Sequence, residues 1–274
     1  MSPAVSICIP AYNAEAHLEE LIEAVLRQSF SDWELIIVNN ASTDSTAGIL
    51  EKIRKTHSDP RIKFFTNDRT LEMGDNFNIA VGHARGEFVK LICADDLPHT
   101  DCLSRQVDAL RQHPSAVIAA GARVIINSRG RELFTRSVIN KSGLYRWREV
   151  IHRCIMAGTN IIGDPVSVMW RRADIERVGI FDPKLIYCID VEYWLRLLSF
   201  GDLYYDTKPL ASYRIHRNAT TVGVGAKVVA DFIHTAKLQI ERKSVSLSNL
   251  QLGIAAAKAW LQCIIRGYLY RLMG

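Results

Sequence analysis

Two adjacent carboxylates, Asp95 and Asp96, close the run FVKLICADD that begins at Phe88. Paired carboxylates repel each other and become tolerable when a divalent cation sits between them and an anionic ligand. The alternative is a solvated turn whose carboxylates cap the next helix. Two other apolar runs also end on polar side chains suited to a nucleotide. VSICIPAYN ends at Tyr12-Asn13, and WELIIVNN ends at Asn39-Asn40. A dinucleotide fold would carry GxGxxG after the first run, where this chain has PAYNAE, and no GxxxxGK phosphate loop is present. The charge of a phosphate group must therefore be met in another way, and a metal is the obvious candidate.

The elements that would position these residues alternate. Val5–Ile9 and Trp33–Val38 read as buried strands, Ile62–Phe65 as a short one, and the run into Asp95 as a strand covered on both faces. Between them Leu18, Leu21, Ile22, Val25 and Leu26, then Ile49, Leu50 and Ile53, recur at helical spacing. Asn13 and Ser42 to Asp44 are N-cap candidates, and Asn76–Ala84 reads as a short helix. Strand–helix alternation predicts a doubly wound, mostly parallel central sheet flanked by helices, with ligands bound beyond the carboxyl ends of the strands. The second half reads as a strand over Ala116–Ile126, a turn at Ser128 to Gly130, a helix over Trp147–Met156, a loop over Asn160–Asp164, strands over Val166–Trp170 and Leu210–Ile215, and a helix opened by Asp190. Lys227–Arg242 and Asn249–Leu272 form a helical C-terminal extension. Its last helix carries the stripe Leu250, Ile254, Ala257, Leu261, Ile264, Tyr268 and Leu272, with Lys258, Arg266 and Arg271 nearby. Such a face packs on its own domain, mediates oligomerisation, or makes peripheral contact with an anionic membrane. The division expected is 1–220 as one domain, with 1–114 its nucleotide half and 115–220 its acceptor half, followed by 221–274.

The chain has 274 residues, 48% hydrophobic and 23% charged, enough to bury a sizeable core. A net charge of +5 suits an anionic ligand or membrane surface but is too small to argue for nucleic acid. Six scattered cysteines, with no CxxC pair, read as reduced thiols, and Cys8 and Cys93 as core residues. A strand entered by Val5 leaves no room for a signal peptide, and no apolar run is long enough to span a bilayer. A cytoplasmic location is expected, with the inner membrane face as the variant of it.

The strings VSICIPAYNAEAHLEELIEAVLRQSFSDWELIIVNNASTDST, NIAVGHARGEFVKLICADD and IDVEYWLRL together resemble the inverting family 2 glycosyltransferases of GT-A fold. The resemblance covers Val5 to Asn218. It implies that Pro10, Ala11 and Tyr12 with Asn39 and Asn40 hold the base and ribose of a nucleotide-sugar. It further implies that Asp96, with Asp95, grips a Mn or Mg ion on the donor diphosphate, and that Asp190 is the catalytic base, kept ionised by its helix N-terminus. Glu192 is the reserve base, and Trp194 and Arg196 are packing and surface pairing. His216 and Arg217 fall where the family places a late metal ligand or phosphate contact, an ordinary loop pair being the alternative. Where the family's second strand ends Asp-Asp or Asp-Asn, this one ends Asn39-Asn40, which weakens UDP specificity. A UDP- or dTDP-sugar remains the expected donor, and a glycan or glycolipid hydroxyl in cell-surface biosynthesis the expected acceptor. The competing readings are a non-catalytic nucleotide-sugar-binding subunit of a glycan assembly complex and a sugar-nucleotide pyrophosphorylase. The latter needs a Gly-rich basic loop where PAYNAE stands.

Overall fold

The structure is a computed structural model, and it describes residues 2–216 and 225–273, the side chains of 225–226 and 269–273 excepted. The expected boundary at 220/221, and Arg217, fall outside the described residues.

Ten strands form one mixed sheet. In chain order they are β1 Val5–Ala11, β2 Trp33–Asn39, β3 Ile62–Thr66, β4 Phe88–Leu91, β5 Leu97–Pro98, β6 Ala116–Ile126, β7 Glu132–Arg136, β8 Gly143–Tyr145, β9 Val168–Arg171 and β10 Asp202–Arg214. The spatial order is β3-β2-β1-β4-β9-β6-β10-β5, with β7 on β6 and β8 on β10. The first four are parallel neighbours, β6 and β10 are parallel, and β9 lies antiparallel between β4 and β6. The mostly parallel α/β sheet expected from the sequence is therefore present, with one reversed strand joining its halves. That reversal explains why the residues before β9 do not continue it. Val166 belongs to a 3₁₀ turn over Pro165–Ser167 rather than to the strand. Leu97-Pro98, directly after the carboxylate pair, is a two-residue strand that pairs antiparallel with β10.

The helices are α1 Leu18–Leu26, α2 Thr46–Thr56, α3 Met73–Gly82, α4 Cys102–Gln112, α5 Trp147–Ala157, α6 Ile175–Val178, α7 Ile189–Leu198, α8 Gly225–Glu241 and α9 Asn249–Met273. The first half of β10 was not legible in the sequence. Asp202 to Pro209 carries polar residues on partly exposed positions, and the register with β6 shifts between Asp206 and Pro209. A bulge there hides the alternation that marks a strand.

Two apolar layers sandwich the sheet. One gathers Ile7, Ile9, Leu35 and Ile37 with α1, and the other gathers Val38, Val89 and Trp170 with α5 and α7. Lys90 lies inside the first run yet is fully buried. Its ammonium donates to Gln106 Oε1 at 2.8 Å and to the Val168 carbonyl at 3.3 Å, which satisfies a group that burial otherwise penalises. Below α7 an aromatic cluster of Trp170, Phe181, Tyr193 and Trp194 packs edge-to-face and stacked.

The C-terminal helices are not a loose appendage. Gly158 ends α5 in the left-handed region (φ 67°), and a Cβ there would meet the Ala259 amide nitrogen at 2.5 Å. Ala255 and Ala259 of α9 are correspondingly buried against it. The stripe on the far side of α9 stays in solvent, with Leu250, Ile254, Leu261, Ile264 and Tyr268 exposed. Side chains 271 and 272 fall outside the described residues. Among the described residues no helix is long and apolar enough to cross a membrane.

Candidate active site

A cleft of about 1190 Å³ opens along the carboxyl ends of β1, β4 and β2 and continues to α7 and α9. Pro10, Tyr12, Asn40, Asp95, Asp96, Asp190 and His216 line it, whereas Ala11 and Asn39 sit behind its wall. Ala11 is fully buried, and its carbonyl accepts the Asn40 amide at 2.8 Å.

The end of the cleft beside β1 and β2 is built by polar side chains that tie loops together. Asn13 is not a helix cap. It adopts a left-handed φ of 46°, which Asn tolerates, and its Oδ1 accepts the Thr43 amide at 2.9 Å. Asp44 accepts the Thr46 amide at 2.9 Å and the Glu15 amide at 3.1 Å, so it both starts α2 and ties the first loop. Asn39 Oδ1 accepts the Ser42 amide. Asn40 Oδ1 accepts from Asn67 Nδ2 and the Leu71 amide, and Asn40 Nδ2 donates to the Leu71 carbonyl. Both amides that the sequence assigned to a base are thus bonded within the protein, and they organise the cleft wall. Tyr12, about half exposed at 48%, is the aromatic surface that faces the cleft at this end.

The acidic turn sits at the middle. The Cys93 carbonyl accepts the Asp96 amide at 3.1 Å, which closes a tight turn directly after β4. Asp95 Oδ2 lies 3.0 Å from His216 Nε2. Asp96 is 1% exposed; its Oδ1 accepts the Arg214 amide at 2.9 Å, while its Oδ2 is buried without a hydrogen-bond partner. Burial first, and then the Asp95 charge, push the Asp96 carboxyl well above the usual range. Arg214 clamps the turn by donating to the Asp95 carbonyl, to the carbonyls of Asn127 and Ser128, and to Glu20 on α1. A buried carboxylate oxygen with no donor, beside a second carboxylate, fits a divalent cation. Among the described residues the ligand atoms of Cys93, Asp95 and Asp96 lie within 4.8 Å of one another. Cys93 is thus a cleft residue rather than a core thiol. His216 stands on Asp95 and outside that group of three.

The third part is the neighbourhood of Asp190, the second residue of α7. Its Oδ2 accepts from Asn160 Nδ2 at 2.9 Å and its Oδ1 from the Val191 amide at 2.7 Å. Trp194 Nε1 donates to the Gly163 carbonyl at 3.1 Å, which pins the loop after α5 onto α7. That loop delivers Asp164, whose carboxylate pairs with the buried Arg123. Burial, and then the negative charge of Asp164, raise the Asp190 carboxyl to about 7. The helix N-terminus does not keep it strongly acidic, because burial and a like charge outweigh the dipole. Glu192 cannot stand in for it. Glu192 is buried behind the cleft in a bidentate pair with Arg196 at 2.7 and 2.9 Å. Arg196, expected on the surface, is itself buried and also donates to the carbonyls of Val178 and Ile180. Asn160, Asp164 and Arg123 were not named from the sequence. The resemblance implies only that the loop NIIGDPV, Asn160 to Val166, faces the acceptor, without naming contacts in it, and Arg123 lay hidden in an apolar strand.

Beyond Asp190 the cleft is walled by α5 and α9, through Ile155, Thr159, Ile265 and Arg266. Arg136 and Arg266 both reach Thr159 Oγ1, at 3.4 and 3.5 Å.

An α/β sheet, an acidic turn at its strand ends and a separate carboxylate thus meet along one cleft. Residues 6–178 match Glycosyl transferase family 2, and the chain belongs to that family. Its curated relatives include an uncharacterized glycosyltransferase of Haemophilus influenzae, 28% identical over 80% of this chain and 68% of its own length. Another is the putative glycosyltransferase EpsE of Bacillus subtilis, 37% identical over 40% of each chain. Among solved structures, S. aureus TarS in complex with UDP-GlcNAc superposes with a TM-score of 0.72 at 19% identity, covering 97% of this chain and 73% of that one. The mannosyltransferase PcManGT of Pyrobaculum calidifontis, in complex with GDP-Man and Mn2+, gives 0.65 at 17% identity, covering 98% and 74%. The fold is that of the GT-A glycosyltransferases.

Proposed function

We propose that the protein is a cation-dependent, inverting glycosyltransferase that moves a sugar from a UDP- or dTDP-sugar to a hydroxyl of a glycan or glycolipid acceptor in cell-surface biosynthesis. The observation that carries the reading is the partnerless, buried Oδ2 of Asp96, which lines the same cleft as the raised carboxyl of Asp190. Nucleotide-sugar complexes of TarS and PcManGT, the latter with Mn2+, support the donor class and the cation.

In this reading Pro10 and Tyr12 form the platform for the base, and Asn39 and Asn40 hold the loops around it. Asp96 Oδ2 and Asp95 hold the cation, Mn or Mg. Such an ion neutralises the charge gathering on a departing diphosphate. Arg214 keeps the acidic turn in place before any ligand arrives, so little ordering is left for the moment of binding. His216 restrains Asp95 and sits where it can meet a phosphate. Asp190 takes the proton of the acceptor hydroxyl as that oxygen attacks the anomeric carbon from the face opposite the leaving group. A base with a pKa near neutrality is matched to that task, and Asn160 fixes the direction of its oxygen. The acceptor enters the end of the cleft that α5 and α9 wall. The exposed apolar face of α9, a helix without an acidic residue, suits peripheral contact with an anionic membrane on the cytoplasmic side.

The test separates binding from chemistry. Asp96→Asn is expected to abolish Mn-dependent stabilisation by the nucleotide-sugar, seen as a thermal shift. Asp190→Asn is expected to retain that shift and lose sugar transfer. Full transfer by the Asp190 variant would remove the base, and full Mn dependence in the Asp96 variant would remove the cation site.

A further inference from the structure

The acidic turn contains a sulfur donor that the proposed reaction does not call for. Cys93 begins the turn that Asp96 closes, and its side chain faces the cleft. Its Sγ lies within 4.8 Å of ligand oxygens on both Asp95 and Asp96. The second carboxylate oxygen of Asp96 is buried and has no partner, so one donor beside the sulfur is already desolvated and uncommitted. We propose that Cys93 is a third ligand of the cation site, giving a sulfur–oxygen donor set that takes thiophilic divalent cations of the zinc and cadmium class in preference to magnesium.

The geometry allows it. Bonds of about 2.3 Å to sulfur and 2.1 Å to oxygen separate such ligands by about 3.6 Å at a tetrahedral centre and about 4.4 Å across an octahedral one. The ligand atoms therefore need to close by no more than about 1.4 Å to meet at a tetrahedral centre. The donor chemistry decides the preference. Magnesium takes oxygen ligands almost exclusively, whereas a thiolate adds affinity for zinc-class ions. On coordination the thiol releases its proton to solvent. The inference rests on the acidic pair being a cation site, and the experiment separates the two.

The experiment uses the full chain in a Cys263→Ser background, because Cys263 is the other cysteine that is not buried. Cadmium is titrated while the ultraviolet thiolate-to-cadmium charge-transfer band is followed, and manganese binding is measured by electron paramagnetic resonance. One equivalent of cadmium is expected to develop the band. Cys93→Ser and Cys93→Asp should each abolish it and weaken cadmium by at least about tenfold, with magnesium affinity within about twofold in Cys93→Ser and equal or higher in Cys93→Asp. Cys93→Asp keeps an oxygen donor, so retained manganese binding shows that its site is still formed. A band that survives both substitutions, or none at all in a protein whose manganese binding is lost on Asp96→Asn, overturns the role of Cys93 and leaves the cation site standing. An equal loss of cadmium and magnesium in both Cys93 variants also overturns it, since the residue then shapes the turn without ligating. Manganese binding that is indifferent to Asp96→Asn removes the cation site itself, and the inference with it.

Discussion

In the proposed mechanism the pH dependence of transfer follows the ionisation of Asp190. Its carboxyl is raised from 3.8 to about 7 by burial and by Asp164, so the base form is the minor species in weakly acidic solution. The ionised fraction is about half at pH 7 and about 1% at pH 5, so the transfer rate at saturating donor should fall by about tenfold per pH unit below 7. Asp164→Asn removes the like charge and leaves Asp190 facing Arg123 alone, and both changes favour the carboxylate. The acid limb of that variant should move to lower pH. The sign for stability runs the other way from that of a salt-bridged carboxylate. A group whose folded pKa is raised costs nothing below its unfolded value, destabilises progressively from about pH 4 to 7, and imposes its full penalty above that. Roughly three units at 1.36 kcal/mol each set that penalty at about 4 kcal/mol at most, because solvent reaches this half-buried group and screens part of it. Asp190→Asn should therefore be more stable than the parent at pH 8 and equal to it at pH 4. The assay is nucleotide release from the donor between pH 5 and 8, with urea unfolding at both ends of the range. A rate that is flat over that range, or an Asp164→Asn limb displaced to higher pH, would refute the assignment.

Gly158→Ala combines a left-handed backbone with a Cβ pressed on the α9 backbone, so a loss of about 1–3 kcal/mol is expected, and an unchanged urea midpoint would contradict the packing. Arg196→Ala leaves Glu192 buried and unpaired, which should cost about 3–5 kcal/mol; a loss under 1 kcal/mol would mean that the pair is solvated. The exposed face of α9 should bind vesicles containing phosphatidylglycerol and release them at high salt. Replacing Leu261 and Ile264 by Ser should abolish co-sedimentation, and binding equal to that on neutral vesicles would argue against an anionic surface.

The nucleotide half of this fold was legible because each of its strands is a continuous buried run ending in a polar pair, and the intervening helices carry clear stripes. Asp95, Asp96 and Asp190 were singled out from residue type, order and resemblance, and in the structure they line one cleft. What was hidden depended on contacts distant in sequence. Asn39 and Asn40 read as ligand-facing, yet their partners at Ser42, Asn67 and Leu71 exist only once three loops meet. Arg196 was expected on the surface, and Arg123 and Lys90 interrupt apolar strands; each of the three is buried because an acceptor elsewhere in the fold receives it. Cys93 looked like core because the strand stops two residues earlier than its apolar run.

On the proposed reading, the seam between Gly158 and α9 makes the last helix part of the vessel in which the sugar is passed. Trimming the protein near residue 220 would leave the nucleotide end furnished but take away one side of the entrance for the molecule to be glycosylated. Exchanging the last two helices for those of a relative would, by the same logic, re-address the enzyme to another recipient without altering what it donates.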